Sequence, residues 1–300
     1  MTNARMVELM QQLAPAEGYA RSRLDDVTLM RADRPLPCMP ALYEPSIVFV
    51  VQGRKRGFHA GEMYVYDQQH YLVLSVPLPF DIETEASRET PLLGISLRID
   101  TAMTAQLALE LGAGNAPGRP ATLFSSRMDA RLEDTLARLL EALALPDEAR
   151  LLGPAIVREL TYRVLTGEQG DSLRAALQHN SHFGRIARVL RRIHCDYAQP
   201  LDVATLAEQA HLSAPAFHVQ FKAVTATSPL QYLKATRLHH ARLLMVRQNL
   251  SAAGAAAQVG YESPSQFSRE FRRLFGRPPG EEALHLKGLL SLAAPAHGRP

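Results

Sequence analysis

A chain of 300 residues is long enough for about two domains, and its 46% hydrophobic content is that of an ordinary globular protein. No apolar run approaches the ~18–20 residues of a transmembrane helix, and the amphipathic start (Met-Thr-Asn-Ala-Arg-Met-Val-Glu-Leu) argues against a secretory signal. Net charge is only +3, but residues 182–280 hold 13 Lys/Arg against 5 Asp/Glu, so a basic C-terminal part follows a mildly acidic one and suits a polyanionic partner.

The two cysteines, Cys38 and Cys195, have no neighbouring Cys. They exclude a disulfide framework or a zinc ribbon and fit a reducing cytoplasm. Arg5–Leu13 has the pattern of a short helix, and the prolines of residues 34–40 hold that stretch extended. Residues 46–100 are short apolar runs separated by turn residues: Ser46–Gln52 between Pro45 and Gly53, then Met63–Tyr66, Tyr71–Val76, Phe80–Thr84 and Leu92–Ile99. That spacing predicts a small barrel or sandwich. Thr101–Leu111 reads as a helix and 112–120 as a loop. Ala130–Leu145 carries Leu132, Leu136, Leu139, Leu140 and Leu143 on one stripe, and Glu148–Leu165 carries Leu151, Leu152, Ala155, Leu160 and Val164. Such a pair either packs within the chain or zips against a second copy. The polar, Gly-containing run Gly167-Glu-Gln-Gly-Asp-Ser, followed by Gln178-His-Asn-Ser, marks the candidate linker region, 171–181, interrupted by a short helix at Leu173–Leu177.

The basic part begins near His182. Ile186, Val189, Leu190, Ile193 and Tyr197 share one helical face, with Arg185, Arg188, Arg191 and Arg192 opposite. Asp202–Ala210 and Ala214–Thr225 form a helix, a turn and a second helix. Ser228-Pro229 opens a long helix to about Gln248, with Leu230, Leu233, Leu238, Ala241, Leu244 and Met245 inward. Ser251–Val259 and Pro264–Phe275 repeat the helix pair fifty positions on: Ser213, Phe217, Phe221 and Pro229 return as Ser263, Phe267, Phe271 and Pro279. This is a duplicated helix-turn-helix unit. In its second copy Ser263 caps a helix that Pro264 begins, the phenylalanines make one face, and Ser265, Gln266, Ser268, Arg269, Arg272 and Arg273 make the other. Gly276 ends that helix, and Pro278 and Pro279 are expected to prevent its restart. The long helix between the units, at ~1.5 Å per residue, is a rod of roughly 30 Å, near the ~34 Å of one duplex turn.

The run "LAEQAHLS…F…F…TSPLQYL" followed by "VGYESPSQFSREFRRLFGRPPGE" resembles the DNA-binding domain of the AraC/XylS family of bacterial transcription regulators, over residues 182–288. "YEPSIVFVVQG" at 43–53 and "YLVLSVPLPF" at 71–80 resemble the N-terminal domain of the family's aldehyde-responsive subgroup. The resemblance implies an α+β effector and dimerisation domain at 1–170, with a cupin-like β-barrel plus helices, and a linker region at 171–181. An all-α DNA-binding domain follows at 182–288, two helix-turn-helix units at 202–225 and 251–275 joined by a long helix, then a frayed tail at 289–300. It further implies a cytoplasmic regulator, an activator, that binds double-stranded DNA across two successive major grooves and contacts RNA polymerase. A small-molecule effector (an aldehyde or other electrophile) and a homodimer contact through one of the N-terminal helices belong to the same expectation.

Arg binds guanine bidentately and Gln binds adenine, which makes Arg269, Gln266 and Ser265 base-contact candidates, with Pro215, His218 and Val219 in the first unit. Ser213, Lys222, Ser268, Arg272 and Arg273 are candidates for the phosphates. An ordinary solvated face is the plainer reading of each. The effector-pocket candidates are Tyr43, Arg54, His59, Tyr64, Tyr66 and His70, for which surface placement is the alternative. His59, Glu62 and His70 lack the dense His-x-His pattern of a metal-binding cupin, so neither a metal nor another cofactor is expected. Cys38 is a candidate sensor thiol if Arg31 and Arg34 stabilise its thiolate, and otherwise a small apolar filler. A cupin-type enzyme with a basic module lacks a metal constellation or a nucleophile–base pair, and no catalytic residue is assigned. An architectural binder leaves the Gln/Arg face unexplained.

Overall fold

The computed structural model describes residues 2–112, 120–177 and 181–291. The chain divides into two compact units, Met1–Cys38 with Tyr43–Val76 and Asp81–Gln178, and His179–Pro300 with Met39–Leu42 and Pro77–Phe80.

The first unit opens with α1 (Thr2–Leu13), followed by β1 (Gly18–Arg21), β2 (Val27–Ala32), β3 (Leu36–Tyr43), β4 (Ser46–Gln52), β5 (Arg54–His59), β6 (Glu62–Asp67), β7 (His70–Leu74), β8 (Leu78–Glu85) and β9 (Leu92–Arg98). Then come α2 (Thr101–Glu110), β10 (Leu123–Arg127), α3 (Ala130–Ala144), α4 (Pro146–Leu151), α5 (Gly153–Thr166) and α6 (Gly170–Leu177). The strands form one sheet in the order β1-β2-β9-β4-β7-β6-β5-β8-β3, with β10 also on β7. The sheet curls into a half-barrel. Its central strand β4 is buried on both faces from Ser46 to Val51, which is why its sequence is a continuous apolar run rather than an alternating one. The β5–β6 hairpin turns through Ala60 (φ 54°) and Gly61 (φ 84°), the two left-handed residues a tight two-residue hairpin loop needs. Apolar side chains of α1, α3 and α5 cover the sheet and join one core with Ile47, Phe49, Val73, Ile95 and Leu97.

Three expectations for this unit change. The stretch read as one helix from Glu148 to Leu165 breaks at Leu152–Gly153 into α4 and α5, which resets the helical phase. Ile156, Val157, Leu160 and Val164 are therefore inward, while Leu151, Leu152 and Ala155 are exposed. Residues 171–177, expected in a linker, belong to α6, whose Leu173 is fully buried in the core. Positions 178–180 of that linker and 113–119 of the expected loop lie outside the described residues.

The second unit holds α7 (His182–Asp196), α8 (Val203–Gln209), α9 (Ala214–Thr225), α10 (Pro229–Arg247), α11 (Ala252–Gln258), α12 (Pro264–Phe275) and α13 (Pro279–Ser291). The long helix α10 packs against α9, α11, α12 and α13. Contact on several sides explains why its inward residues follow no single stripe. Pro229, Tyr232, Leu233, Thr236 and His239 are buried along one line and Leu238, Ala241 and Met245 along another. Leu230, expected inward, is on neither line and is 52% exposed, and Leu244 is half-buried. Pro279 does not stop the chain from resuming a helix; it stands first in α13, where its missing N–H costs nothing. Residues 289–291 of the expected tail are thus helical, and 292–300 lie outside the described residues.

Candidate nucleic-acid interface

Helix α12 is fixed from three directions. At its start the Ser263 hydroxyl accepts the backbone N–H of Gln266 at 3.3 Å. At its end Gly276, at φ 78°, turns the chain and donates its N–H to the Arg272 carbonyl at 2.9 Å. Along its length Phe267, Phe271 and Phe275 are buried with ring centroids 5.4 and 4.5 Å apart, in a core with Leu238, Ala241 and Met245 of α10 and Ala255, Ala256 and Val259 around α11. The opposite face carries Ser265, Ser268, Arg269, Arg272 and Arg273, all exposed. None of these three arginines has an ion-pair partner among the described residues. Many arginines of the first unit, such as Arg31, Arg34, Arg54, Arg56, Arg98, Arg138, Arg158 and Arg163, lie against carboxylates, whereas on α12 three in five positions do not. Unneutralised cations on one helical face are what a phosphate backbone requires.

Helix α9 has the same construction with weaker parts. Phe217 and Phe221 are fully buried with centroids 5.4 Å apart, and Phe221 meets Tyr232 of α10 edge-on. Ser213 precedes the helix and is exposed, but makes no capping bond. Pro215, His218, Val219 and Lys222 are exposed, Val219 at 71%. The turns correspond as well: His211 (φ 54°) stands where the second unit has Gly260 (φ 84°), and Ala226 (φ 59°) where it has Gly276. A Cβ on Gly260 would lie 2.5 Å from the Ala198 carbonyl oxygen, so this turn admits only glycine.

Gln266 is the one base-contact candidate on α12 that is not freely exposed. Its Nε2 donates to Glu270 Oε1 at 3.2 Å, and the same carboxylate accepts Lys234 Nζ at 2.6 Å and Tyr261 Oη at 2.7 Å. Burial tends to raise the Glu270 pKa, but the hydrogen bonds from Lys234, Tyr261 and Gln266 outweigh it and hold the carboxyl below its ordinary range. Burial and the Glu270 carboxylate push the Tyr261 phenol up. Sequence reasoning passed over Glu270, Tyr261 and Lys234; the i, i+4 spacing of Gln266 and Glu270 was the available signal.

The effector candidates do not form one site. Tyr43, half-buried, and Tyr66, fully buried, gather around Lys55, which is 3% exposed and donates to Tyr43 Oη at 3.1 Å. Lys55 stands across the sheet from Tyr66 on β6 and from Thr84 on β8. Burial pushes both phenols up and lowers His59, at the far end of β5. Tyr64 and His70 instead line an open groove of about 460 Å³ with Met63, Val65, Phe124 and Ser125. Arg54 is at the surface, paired with Asp67 and Glu85. The surroundings of Cys38 run against a thiolate: partial burial and the carboxylates of Asp81 and Glu83 raise its pKa. Arg31 and Arg34, expected to lower it, are engaged by Asp33 and Glu17. Among the described residues no group of three or more His, Cys, Asp or Glu is placed to hold a metal, and no helix is long and apolar enough to cross a membrane.

Two aromatic-pinned helices, each after a short helix and a tight turn and both packed on one long helix, define a tandem helix-turn-helix protein with a half-barrel N-terminal unit. Residues 23–172 match the model of the AraC-type transcriptional regulator N-terminus and residues 206–283 that of a helix-turn-helix domain. The chain belongs to the AraC-type transcriptional regulators. A putative AraC-like transcription regulator of Streptomyces lividans is 36% identical over 100 residues, 33% of each chain. The thermoregulatory protein LcrF of Yersinia pestis is 24% identical over 180 residues, 59% of this chain and 65% of its own. The matches therefore span less than two thirds of these relatives' length. The crystal structure of ToxT from Vibrio cholerae, with an unsaturated fatty acid bound, has the same fold, with a TM-score of 0.62 over 87% of this chain and 95% of its own at 12% identity.

Proposed function

We propose that this protein is a sequence-specific, DNA-binding regulator of transcription, an activator that acts in the cytoplasm and contacts RNA polymerase. The observation that carries the reading is the unpaired, exposed cationic face of α12, on a helix-turn-helix frame that α9 repeats with Lys222 as its one Lys or Arg. Arg269 with Ser265 and Gln266 on α12, and Pro215, His218 and Val219 on α9, are assigned to base edges. Ser213, Lys222, Ser268, Arg272 and Arg273 are assigned to phosphates. Helix α10 has 19 residues, roughly 28 Å at ~1.5 Å each, a length that suits successive major grooves. Gel-shift selection on genomic fragments at ~150 mM salt tests this: one class of fragment outcompetes bulk DNA, and uniform binding to all fragments refutes it.

The first unit is assigned to effector binding and dimerisation. The buried donors Lys55, Tyr66 and Thr84, with the half-buried Tyr43, suit a carbonyl oxygen, which supports an aldehyde or related electrophile held without covalent use of Cys38. Leu145, Leu151 and Leu152, each more than half exposed around α4, support a homodimer contact there. Titration calorimetry with short aldehydes tests the site: wild type binds and Lys55→Met does not, whereas equal binding by both removes Lys55 from it. Sedimentation of wild type and Leu151→Glu tests the contact: a dimer is expected only for wild type, and the same state for both refutes it.

A further inference from the structure

We infer that α9 reads its half of the DNA site through the C5-methyl groups of thymine, with Val219 as the residue that meets them. The inference rests on the reading of α9 and α12 as groove-facing helices and names the base chemistry that α9 recognises. The two helices turn the same face outward. Each has a proline within its first two residues, and each buries two phenylalanines with ring centroids 5.4 Å apart. Each ends on a left-handed residue, Ala226 at φ 59° and Gly276 at φ 78°. Positions fifty apart are therefore equivalent.

At those positions the chemistry differs. Val219 stands where α12 has Arg269, and Pro215 where it has Ser265. Ala216 takes the place of Gln266, and Ala223 that of Arg273. Each of these residues on α9 lacks any side-chain donor or acceptor. Within α9, His218 and Lys222 are the exposed side chains that can form hydrogen bonds. Val219 is 71% exposed, so burial does not account for it, and a β-branched side chain is not favoured by the helix either. Among the groups on the major-groove edges of the four bases, the thymine methyl alone is apolar. A guanidinium at position 269 suits the N7 and O6 of guanine. An isopropyl group at the equivalent place forms no bond with those atoms, but it shields a methyl from water. One frame thus carries a hydrogen-bonding reader in its second unit and an apolar reader in its first.

The test begins with selection of a preferred duplex by the full chain. The half whose base preference survives in Arg269→Ala belongs to α9. Thymines of that half are replaced one at a time by deoxyuridine, which removes only the methyl, and the binding of wild type and Val219→Ala is compared. At one position or more, the loss is expected to be roughly three- to fivefold for wild type, the scale of one buried methyl group, and less than about twofold for Val219→Ala. At the same position 5-methylcytosine paired with guanine is expected to bind wild type more tightly than plain cytosine does. The inference is overturned by uracil duplexes bound as tightly as the parent, or by a loss as large in Val219→Ala as in wild type. It is equally overturned by an α9 half without thymine, or by a site in which no half keeps its preference in Arg269→Ala. Failure to select any duplex contradicts the regulator reading itself. Val219 lies outside the core, so its replacement by Ala leaves the packing of Phe217 and Phe221 in place.

Discussion

Arg237 of α10 donates from Nη1 to the carbonyl of Gly260, in the turn of the second helix-turn-helix unit, at 3.1 Å. The same guanidinium reaches the Tyr197 carbonyl at 2.7 Å and the Gln199 carbonyl at 2.9 Å, beyond the end of α7. One side chain therefore fastens the turn before α12 to the long helix and to the chain leaving α7. Arg237→Ala is expected to cost about 2 kcal/mol, since three carbonyls lose a charged donor that water replaces only in part. Chemical denaturation measures the loss, and a variant as stable as wild type would show the clamp to be idle.

Gly260 is the other half of that joint. Gly260→Ala places a Cβ 2.5 Å from the Ala198 oxygen at a backbone of φ +84°. Left-handed backbone alone costs roughly 1–2 kcal/mol for a residue with a Cβ, and relief of the clash adds to it. The variant should melt lower and lose the contribution of α12 to DNA binding. The equivalent His211→Gly in the first unit, at φ 54°, should instead be neutral or stabilising, because glycine relieves strain there.

The proposed roles of the arginines of α12 can be told apart. Arg269→Ala should cost ~1–3 kcal/mol on the preferred site and flatten selectivity at one base pair. Arg272→Ala should weaken binding alike on every duplex and reduce the slope of log K against log salt by about 1. Salt titrations of both variants on specific and scrambled DNA make the distinction. An equal loss on both duplexes for Arg269→Ala would move it to the backbone class.

The Glu270 cluster gives a pH dependence with a fixed sign. Because its folded pKa lies below that of the unfolded chain, ~4.3, the carboxylate contributes stability that is fully present above the unfolded value. That contribution is lost as pH falls through the lower folded value. The stability gap between wild type and Glu270→Gln should thus be constant near neutrality and close in acid. A gap that persists unchanged well below pH 4 would contradict the linkage.

Much of the frame of this candidate interface was legible in the residues alone. Ser263 and Pro264 state where α12 begins, Phe267 and Phe271 state which face is buried, and the fifty-residue repeat duplicates the message. The same repeat held information that local rules overrode. Pro229 opens α10, so its counterpart Pro279 opens α13, although proline after a terminal glycine reads by itself as a stop. Leu230 and Leu151 were misplaced for a related reason. A helix contacted on several sides, or broken at one residue, does not keep a single apolar phase. Short strands such as β1, β2 and β10 gain their stability from partners distant in sequence, as when Val27 meets Leu97, and local pattern does not encode the partner. The engagement of Gln266 by Glu270 depended on Lys234 and Tyr261, whose placement only the folded chain reveals.

The account rests on α9 and α12 meeting the same duplex, and interference mapping measures this most directly. Purines of a selected site would be methylated at N7 and the bound and free pools compared. Two patches of major-groove interference with centres about 10 base pairs apart are predicted, the downstream or upstream patch fading in Arg269→Ala while the other persists. A single patch that vanishes with Arg269, or interference spread evenly along the duplex, would contradict a two-helix reader.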